Sequence, residues 1–374
     1  MQEVTLMNIF IGVCGIQLLY WFYYLIGLIK QKTNHKNLDS EPISIIVAAN
    51  NELDNLKKLI PKLLEQDHNQ YEIIIVNDRS TDGTVEYLYE LKDVVSNLKV
   101  VTIDILPDHI NGKKYALTLA IKAASYENVL LTDADCIPEN NSWVSSMANG
   151  FYGDKKIVLG FSQYENRSGL LNAFIRFETL ITGMLYTASA NMGSPFMGVG
   201  RNMAYKKSIF IDNKGFSGYN DVIGGDDDLF INKHATGANT SVVVGIPSLI
   251  TSQPKTTFAS YFQQKKRHLA IGKYYRSKNK IILGGFSLTW IMTLGLALAL
   301  GFTTPLESFI VELQIPIIMF SARVGLMLVA LLLAALRFGV KFNPLGLLFF
   351  DIFYVIYYIF VGTTALFAKN IRWR

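Results

Sequence analysis

Val129-Leu130-Leu131-Thr132-Asp133-Ala134-Asp135-Cys136-Ile137-Pro138 drives an apolar run straight into two carboxylates. Val129 to Leu131 read as a buried parallel strand, and ligands of open α/β sheets gather at the carboxyl ends of the strands. Two acids one residue apart at such an end offer hard oxygen ligands for Mg²⁺ or Mn²⁺, and a divalent cation could neutralise a diphosphate. An acidic turn that caps the next helix has the same appearance, so the flanking sequence has to decide.

Outward from this run the pattern is strand, helix, strand. Pro42 to Ala49 is a first buried strand, and Asn50-Asn51-Glu52 starts a helix that runs through Leu64. Tyr71 to Val76 is a second strand, ending in Asn77-Asp78-Arg79-Ser80-Thr81-Asp82-Gly83-Thr84, where Asp82 is placed to cap a helix over 84–94. Leu98 to Ile105 is a third strand, Gly112 to Ala124 a helix, and Val129 to Thr132 the fourth strand. Such alternation predicts an α/β domain on a parallel sheet. A dinucleotide fold does not fit, because the first strand-to-helix turn is Ala-Ala-Asn-Asn-Glu rather than glycine-rich, and no P-loop motif appears.

Half of the 374 residues are hydrophobic and the formal net charge is +5. Residues 5–29 carry no charge, and a membrane span needs about 20 such residues. The acidic start Met1-Gln2-Glu3 and the lack of a small-residue cleavage site suggest an uncleaved anchor. Lys30, Lys32 and Lys36 follow, placing the amino terminus outside and the next domain in the cytoplasm. Three more apolar blocks close the chain, at about 281–302, 315–336 and 345–367. A basic cluster from Lys265 to Lys280 precedes them, Arg337 and Lys341 separate the last two, and the stretch around Glu307 and Glu312 has no Lys or Arg. The tail Lys369, Arg372 and Arg374 breaks this pattern, since three spans would leave it outside. Asp351 inside the last block is either functional or paired to a neighbouring helix. Cys14 and Cys136 form no plausible disulfide or Cys-based zinc site.

Ile45-Ile46-Val47-Ala48-Ala49-Asn50-Asn51-Glu52, the Asn77 to Thr84 segment, Gly112-Lys113-Lys114-Tyr115-Ala116-Leu117 and Thr132-Asp133-Ala134-Asp135, in this order and spacing, resemble membrane-associated glycosyltransferase family 2. The resemblance covers the whole middle domain. It implies a GT-A fold, a mostly parallel sheet flanked by helices, with one amino-terminal and about three carboxy-terminal transmembrane helices. The expected boundaries are 1–30 for the anchor, 40–280 for the cytoplasmic catalytic domain, 281–368 for the spans and 369–374 for a basic tail.

The resemblance also implies roles. Ala49 and Glu52 would border base and ribose, Asp78 would meet the base edge, Lys113 would lie near the phosphates, Asp133 would face ribose or sugar, and Asp135 would hold Mg²⁺ or Mn²⁺. As bland alternatives, Glu52 is a first-turn helix acid and Asp78 a turn former. Gly198-Val199-Gly200-Arg201-Asn202 is similar to the acceptor-side segment, with Gly198, Gly200 and Asn202 as its candidates, although loop glycines also read this way. In Gly224-Gly225-Asp226-Asp227-Asp228-Leu229, alignment on Leu229 places a general base at Asp226, and a shift of one places it at Asp227.

Gln264-Lys265-Lys266-Arg267-His268 resembles the family's Q-x-x-R-W, with Gln264 and Arg267 on the diphosphate and acceptor-side His268 where Trp is usual. A juxtamembrane patch that binds anionic lipid reads the same way. The helix from Leu170 to Ile181 lies either at the membrane surface or in the core.

The expectation is therefore an inverting, metal-dependent enzyme of a bacterial-type inner membrane. It would move sugar from a nucleotide donor, with UDP favoured, to a lipid or membrane-proximal hydroxyl, with no nucleic-acid partner. A processive polysaccharide synthase, a polyprenyl-phosphate sugar transferase and a nucleotide-sensing scaffold stand as alternatives. Four spans and the missing Trp argue against the processive one.

Overall fold

The computed structural model describes residues 2–31, 41–108, 110–220, 222–305 and 313–366. Lys32, Lys36, Glu307, Glu312, Lys369, Arg372 and Arg374, on which part of the topology reading rests, lie outside the described residues.

In chain order, helix α1 (Gln2–Ile29) leads into β1 (Ile43–Ala49), α2 (Leu53–Leu64), β2 (Tyr71–Asp78), α3 (Thr84–Lys92), β3 (Leu98–Ile103), α4 (Gly112–Ala123) and β4 (Asn128–Asp133). Then come β5 (Cys136–Pro138), α5 (Trp143–Ala148), β6 (Ile157–Leu159), β7 (Ser162–Tyr164), α6 (Leu170–Asn191), β8 (Met203–Lys206), α7 (Lys207–Asp212), α8 (Asp228–His234), β9 (Thr240–Val242) and β10 (Ile250–Ser252). The last elements are α9 (Phe258–Ile271), α10 (Ser277–Thr303), α11 (Gln314–Phe338) and α12 (Leu347–Leu366).

The main sheet runs β3-β2-β1-β4-β8-β6-β9. The first four of these strands are mutually parallel, and β8 is antiparallel to both β4 and β6. A small second sheet, β5-β10-β7, lies beside it; its three-residue strands are too short to show a period in sequence.

Register explains why the site forms where it does. Ala49 pairs with Asn77 and Ala48 with Asp133, so the residues leaving β1, β2 and β4 emerge along one edge. Central strands buried on both faces read as unbroken apolar runs, because alternate side chains serve different cores. Ile46, Ile74, Val129 and Leu131 pack toward α4 and α6, whereas Ile45, Ile73, Ile75 and Leu130 pack against Leu56, Leu59 and Leu63 of α2 and Trp143 of α5. Each such fully buried side chain is worth about 1.5–3 kcal/mol.

Four helices are long and apolar enough to cross a membrane, at Thr5–Ile29, Ser277–Thr303, Gln314–Phe338 and Pro344–Ala365. They are not a separate bundle. Trp21, Tyr24, Phe286, Trp290, Phe338 and Tyr354 belong to the same apolar cluster as the inner face of the sheet. Helix α6 forms the joint: from Phe174 to Ala190 nearly every side chain is buried, so of the two sequence readings the core one describes it. At Gly27 a side chain would stand 2.5 Å from the Ala188 carbonyl oxygen, so only glycine lets α1 cross α6 this closely.

Candidate active site

The β1–α2 and β2–α3 loops are stitched together. Asn51 Oδ1 accepts from the Thr81 amide at 2.7 Å, and the Asn51 amide donates to Ser80 Oγ at 2.9 Å. Asp82 receives the Leu53 amide at 3.1 Å and the Thr84 amide and hydroxyl at 3.1 and 2.6 Å, so one carboxylate serves the starts of both α2 and α3. Burial opposes its charge, but these donors win and hold Asp82 below the usual carboxylate range. Glu52 is the residue before α2 and caps nothing; it accepts from Asn55 Nδ2 at 2.5 Å. Burial first, then Asp135, Asp133 and Asp82, push its carboxyl up, which places Glu52 in the same electrostatic field as the D-x-D pair. Ala49 is buried at the end of β1. Asp78 is 8% exposed and accepts from Arg79 Nε at 2.7 Å.

Asp133 and Asp135 stand at the end of β4 as the sequence implied. Lys113, in the first turn of α4, reaches across to them: its Nζ lies 2.8 Å from Asp133 Oδ1 and 3.5 Å from Asp226 Oδ2. Burial disfavours the ammonium, but Asp133, Asp226 and Asp227 hold it well above its ordinary range. Burial likewise opposes the charge on Asp133, and Lys113 overrides it, so that Asp133 stays below the ordinary range. Asp135 goes the other way, raised by burial and by Asp133.

Ligand atoms of Asp133, Asp135 and Cys136 lie within 4.8 Å of one another. Burial, then the two acids, push the Cys136 thiol far up; a protonated sulfur is a poor ligand for Mg²⁺ or Mn²⁺, so the two carboxylates are the donors that fit a hard cation.

The three adjacent acids have three separate fates. Asp226 is 6% exposed and faces Lys113. Asp227 accepts from the Gly200 and Asp228 amides, both at 2.8 Å, anchoring the segment before β8 and the start of α8. Burial and Asp226 raise its carboxyl to about 6. Asp228 is buried and raised further by burial and by Asp227. Of the two base candidates, Asp226 is the one whose carboxylate meets Lys113 directly.

Sequence reading placed Asn202 on the acceptor side, and the structure corrects this. Its side chain is wholly buried, donating to the Phe161 and Ser248 carbonyls and accepting from Trp143 Nε1 at 3.0 Å. Both amide hydrogens are used and the group is sealed from solvent, so this side chain does not face a substrate. Gly198 and Gly200 are also tightly packed: a side chain would meet Leu159 at 3.1 Å in the first and Asp227 at 3.3 Å in the second. Their lack of a side chain serves packing and the Gly200 to Asp227 bond.

Arg201, between Gly200 and Asn202, was quoted in sequence without a role. Its guanidinium stacks over Tyr164 at 4.4 Å, and Nε donates to Ser162 Oγ. It also acts electrostatically on Asp133 and Asp135, so it is a fixed cation facing the D-x-D pair. A charged residue following two glycines was the available signal.

Helix α9 brings Gln264 and Arg267, half-buried, and His268, exposed, to the site's side of the domain. Burial lowers the Arg267 guanidinium while Asp226 opposes the shift. Although His268 is partly open to solvent, burial of its ring against the protein, and then the cations Lys265, Arg267, Arg201 and Lys113, disfavour its charged form and lower it from its ordinary range. A recess of about 320 Å³ beside Glu52, Asn55, Asp82 and Gln253 adjoins this edge.

The glycosyl transferase family group 2 profile matches residues 129–368, and that of glycosyl transferase family 2 matches residues 44–213. The chain belongs to glycosyl transferase family 2. It is a glycosyltransferase of the GT-A fold. Poly-beta-1,6-N-acetyl-D-glucosamine synthase of Staphylococcus aureus (strain MSSA476) is 30% identical over 207 residues, 52% of this chain and 48% of the relative. The synthase of the same name from Staphylococcus epidermidis is 29% identical over 208 residues, again 52% and 48%. The glycosyltransferase thus spans about half the length of these relatives. A mannosyltransferase, PcManGT from Pyrobaculum calidifontis, in complex with GDP-Man and Mn²⁺, superposes with TM-score 0.58 at 17% identity, covering 89% of this chain and 96% of its own.

Proposed function

We propose that this family 2 glycosyltransferase moves a sugar, with inversion, from a nucleotide donor, UDP-linked in our reading, to a hydroxyl of a lipid or membrane-proximal glycan. The observation that carries the reading is Lys113, which meets Asp133 on the donor strand and Asp226 on the acceptor loop from one ammonium group. In this reading donor and acceptor chemistry share one cleft. Ala49, Glu52 and Asp78 border the nucleoside, Asp133 faces the sugar, and Gln264 and Arg267 meet the diphosphate. Asp226 takes the proton of the acceptor hydroxyl as its oxygen attacks the anomeric carbon opposite the leaving nucleotide, and one displacement inverts that centre.

Asp135, with Asp133 beside it, is the donor set for Mg²⁺ or Mn²⁺, and the Mn²⁺ in the Pyrobaculum neighbour supports this assignment. A bound cation would offset the diphosphate charge. His268 borders the acceptor. The four apolar helices support a membrane setting, with the domain on the cytoplasmic side.

A second reading, repeated transfer to a growing polymer, is favoured by the name of the staphylococcal relatives. It is opposed by His268, which replaces the aromatic ring that would hold an acceptor sugar.

The test is release of nucleoside diphosphate by detergent-purified protein with a panel of UDP- and GDP-sugars, Mn²⁺ or Mg²⁺ and a total lipid extract, beside Asp135→Ala. Metal-dependent release that needs lipid and is lost in the variant is the expected result. Neither release nor donor binding under any condition would overturn the reading. Products of one added sugar separate single transfer from polymerisation.

A further inference from the structure

Helix α4 starts with two adjacent lysines that point in opposite directions. Lys113 reaches into the cleft. Lys114 turns inward, 1% exposed, and its ammonium donates to the carbonyls of Tyr219, at 2.6 Å, and Val222. It also lies 5.1 Å from the centre of the Tyr219 ring. One residue before the helix, the Asn111 amide donates to the Asn220 carbonyl at 3.2 Å. The opening of α4 therefore grips three carbonyls of one loop, at 219, 220 and 222.

Two residues farther on, Gly224 and Gly225 take φ of +79° and +74°, a conformation that side chains resist, and the chain then presents Asp226. Glycines have many conformations open to them, so contacts outside the pair must select the one in which Asp226 points at Lys113.

A buried ammonium is a costly way to fill space, since an apolar residue of the same length would pack without desolvation. What the amine adds is direction: it is satisfied only when the 219 and 222 carbonyls converge on it. We infer that Lys114 is a positioning residue, a clamp that sets the backbone at Tyr219, Asn220 and Val222 so that Asp226 meets Lys113 and the acceptor. This inference rests on the reading of Asp226 as the base. It divides the doublet into two tasks, Lys113 holding the carboxylates and Lys114 holding the backbone that carries one of them.

The experiment compares Lys114→Met, Asp226→Asn and the double variant in the full chain in detergent, measuring transfer rate and affinity for the sugar nucleotide that supports turnover. A positioning role predicts that Lys114→Met lowers kcat by at least about ten-fold while donor affinity stays within about two-fold, and that it adds little further loss in the Asp226→Asn background. Equal losses of rate and donor affinity, or a full additional loss in that background, would reveal a merely structural lysine and overturn the clamp. If the methionine variant does not fold, Lys114→Gln, which is polar but too short to reach both carbonyls, is read by the same two measurements and must show the same split. Should Asp226→Asn transfer at the normal rate, the base assignment itself fails. If Asp226→Asn is impaired and Lys114→Met is not, only the clamp fails.

Discussion

At the scale of single residues, Asp226, Asp227 and Asp228 show how identical side chains in sequence are sorted by what they face. Asp226 meets an ammonium, Asp227 meets two backbone amides, and Asp228 is sealed inside. Asp226→Asn is expected to lower transfer by about 10²–10⁴-fold with donor affinity retained, as read from initial rates beside donor binding. Asp227 offers a pH test. Its carboxyl is raised to about 6 in the fold, by burial first and then by Asp226, so the folded state prefers the protonated form. Stability is then lost as pH rises from the unfolded value near 4 through about 6, and the loss is complete above that. The melting temperature of Asp227→Asn, whatever its fixed offset from altered amide bonds, should gain on the wild type across that window and run level above it. A constant difference from pH 4 to 7 would contradict the raised value.

At the scale of elements, α9 is held in place beside the site because it is tied to two other helices. Lys265 pairs with Glu178 of α6, both nearly buried, and Tyr261 Oη donates to the same carboxylate at 3.3 Å. Tyr261 stacks on Tyr357 and Phe262 meets Phe360, which tie α9 to α12. Removing one partner of a buried pair strands the other charge and costs about 3–5 kcal/mol. Lys265→Met alone should therefore lower thermal stability sharply, whereas Lys265→Met with Glu178→Leu should recover most of it. Since Arg267 lies within one turn of Lys265, the single variant should also weaken donor binding. A Lys265→Met protein as stable as the wild type would show that the pair carries no load.

Across the whole molecule, the apolar core runs unbroken from the sheet into the four long apolar helices, and a polar knot sits within it. Asp351 of α12 accepts from Arg323 of α11, through both guanidinium nitrogens Nη1 and Nη2, and from Trp290 Nε1 of α10 at 2.7 Å. Gln17 of α1 accepts from Thr289 of α10 at 2.6 Å. Three carboxy-terminal helices and the amino-terminal one are joined by buried polar groups that find no substitute partner in an apolar surrounding. Asp351 is thus paired to its neighbours. Asp351→Leu should unseat the bundle by about 3–5 kcal/mol, because Arg323 is left buried and unpaired, and Asp351→Leu with Arg323→Leu should lose much less. Thermal unfolding in detergent measures both.

The sequence by itself determined the alternation of strands and helices, the D-x-D end of β4, four apolar spans, and the family, because each is written in neighbouring residues. Local periodicity and turn chemistry need no distant partner. Strand ends came out within a few residues, with β2 reaching Asp78 and β3 stopping at Ile103. What lay beyond it was every feature fixed by contacts far apart in the chain. Asn202 looks like any polar loop residue until Trp143 and Ser248 enclose it. Glu178, Arg323 and Asp351 are stray charges in apolar helices, and Lys265 is one cation of a basic run, until packing pairs them. Which of three aspartates faces Lys113, and which lysine turns inward, depended on the register of β1 with β4 and on the path of one loop. Only the folded chain sets these, since burial and hydrogen-bond partners are properties of a neighbourhood and not of a residue type.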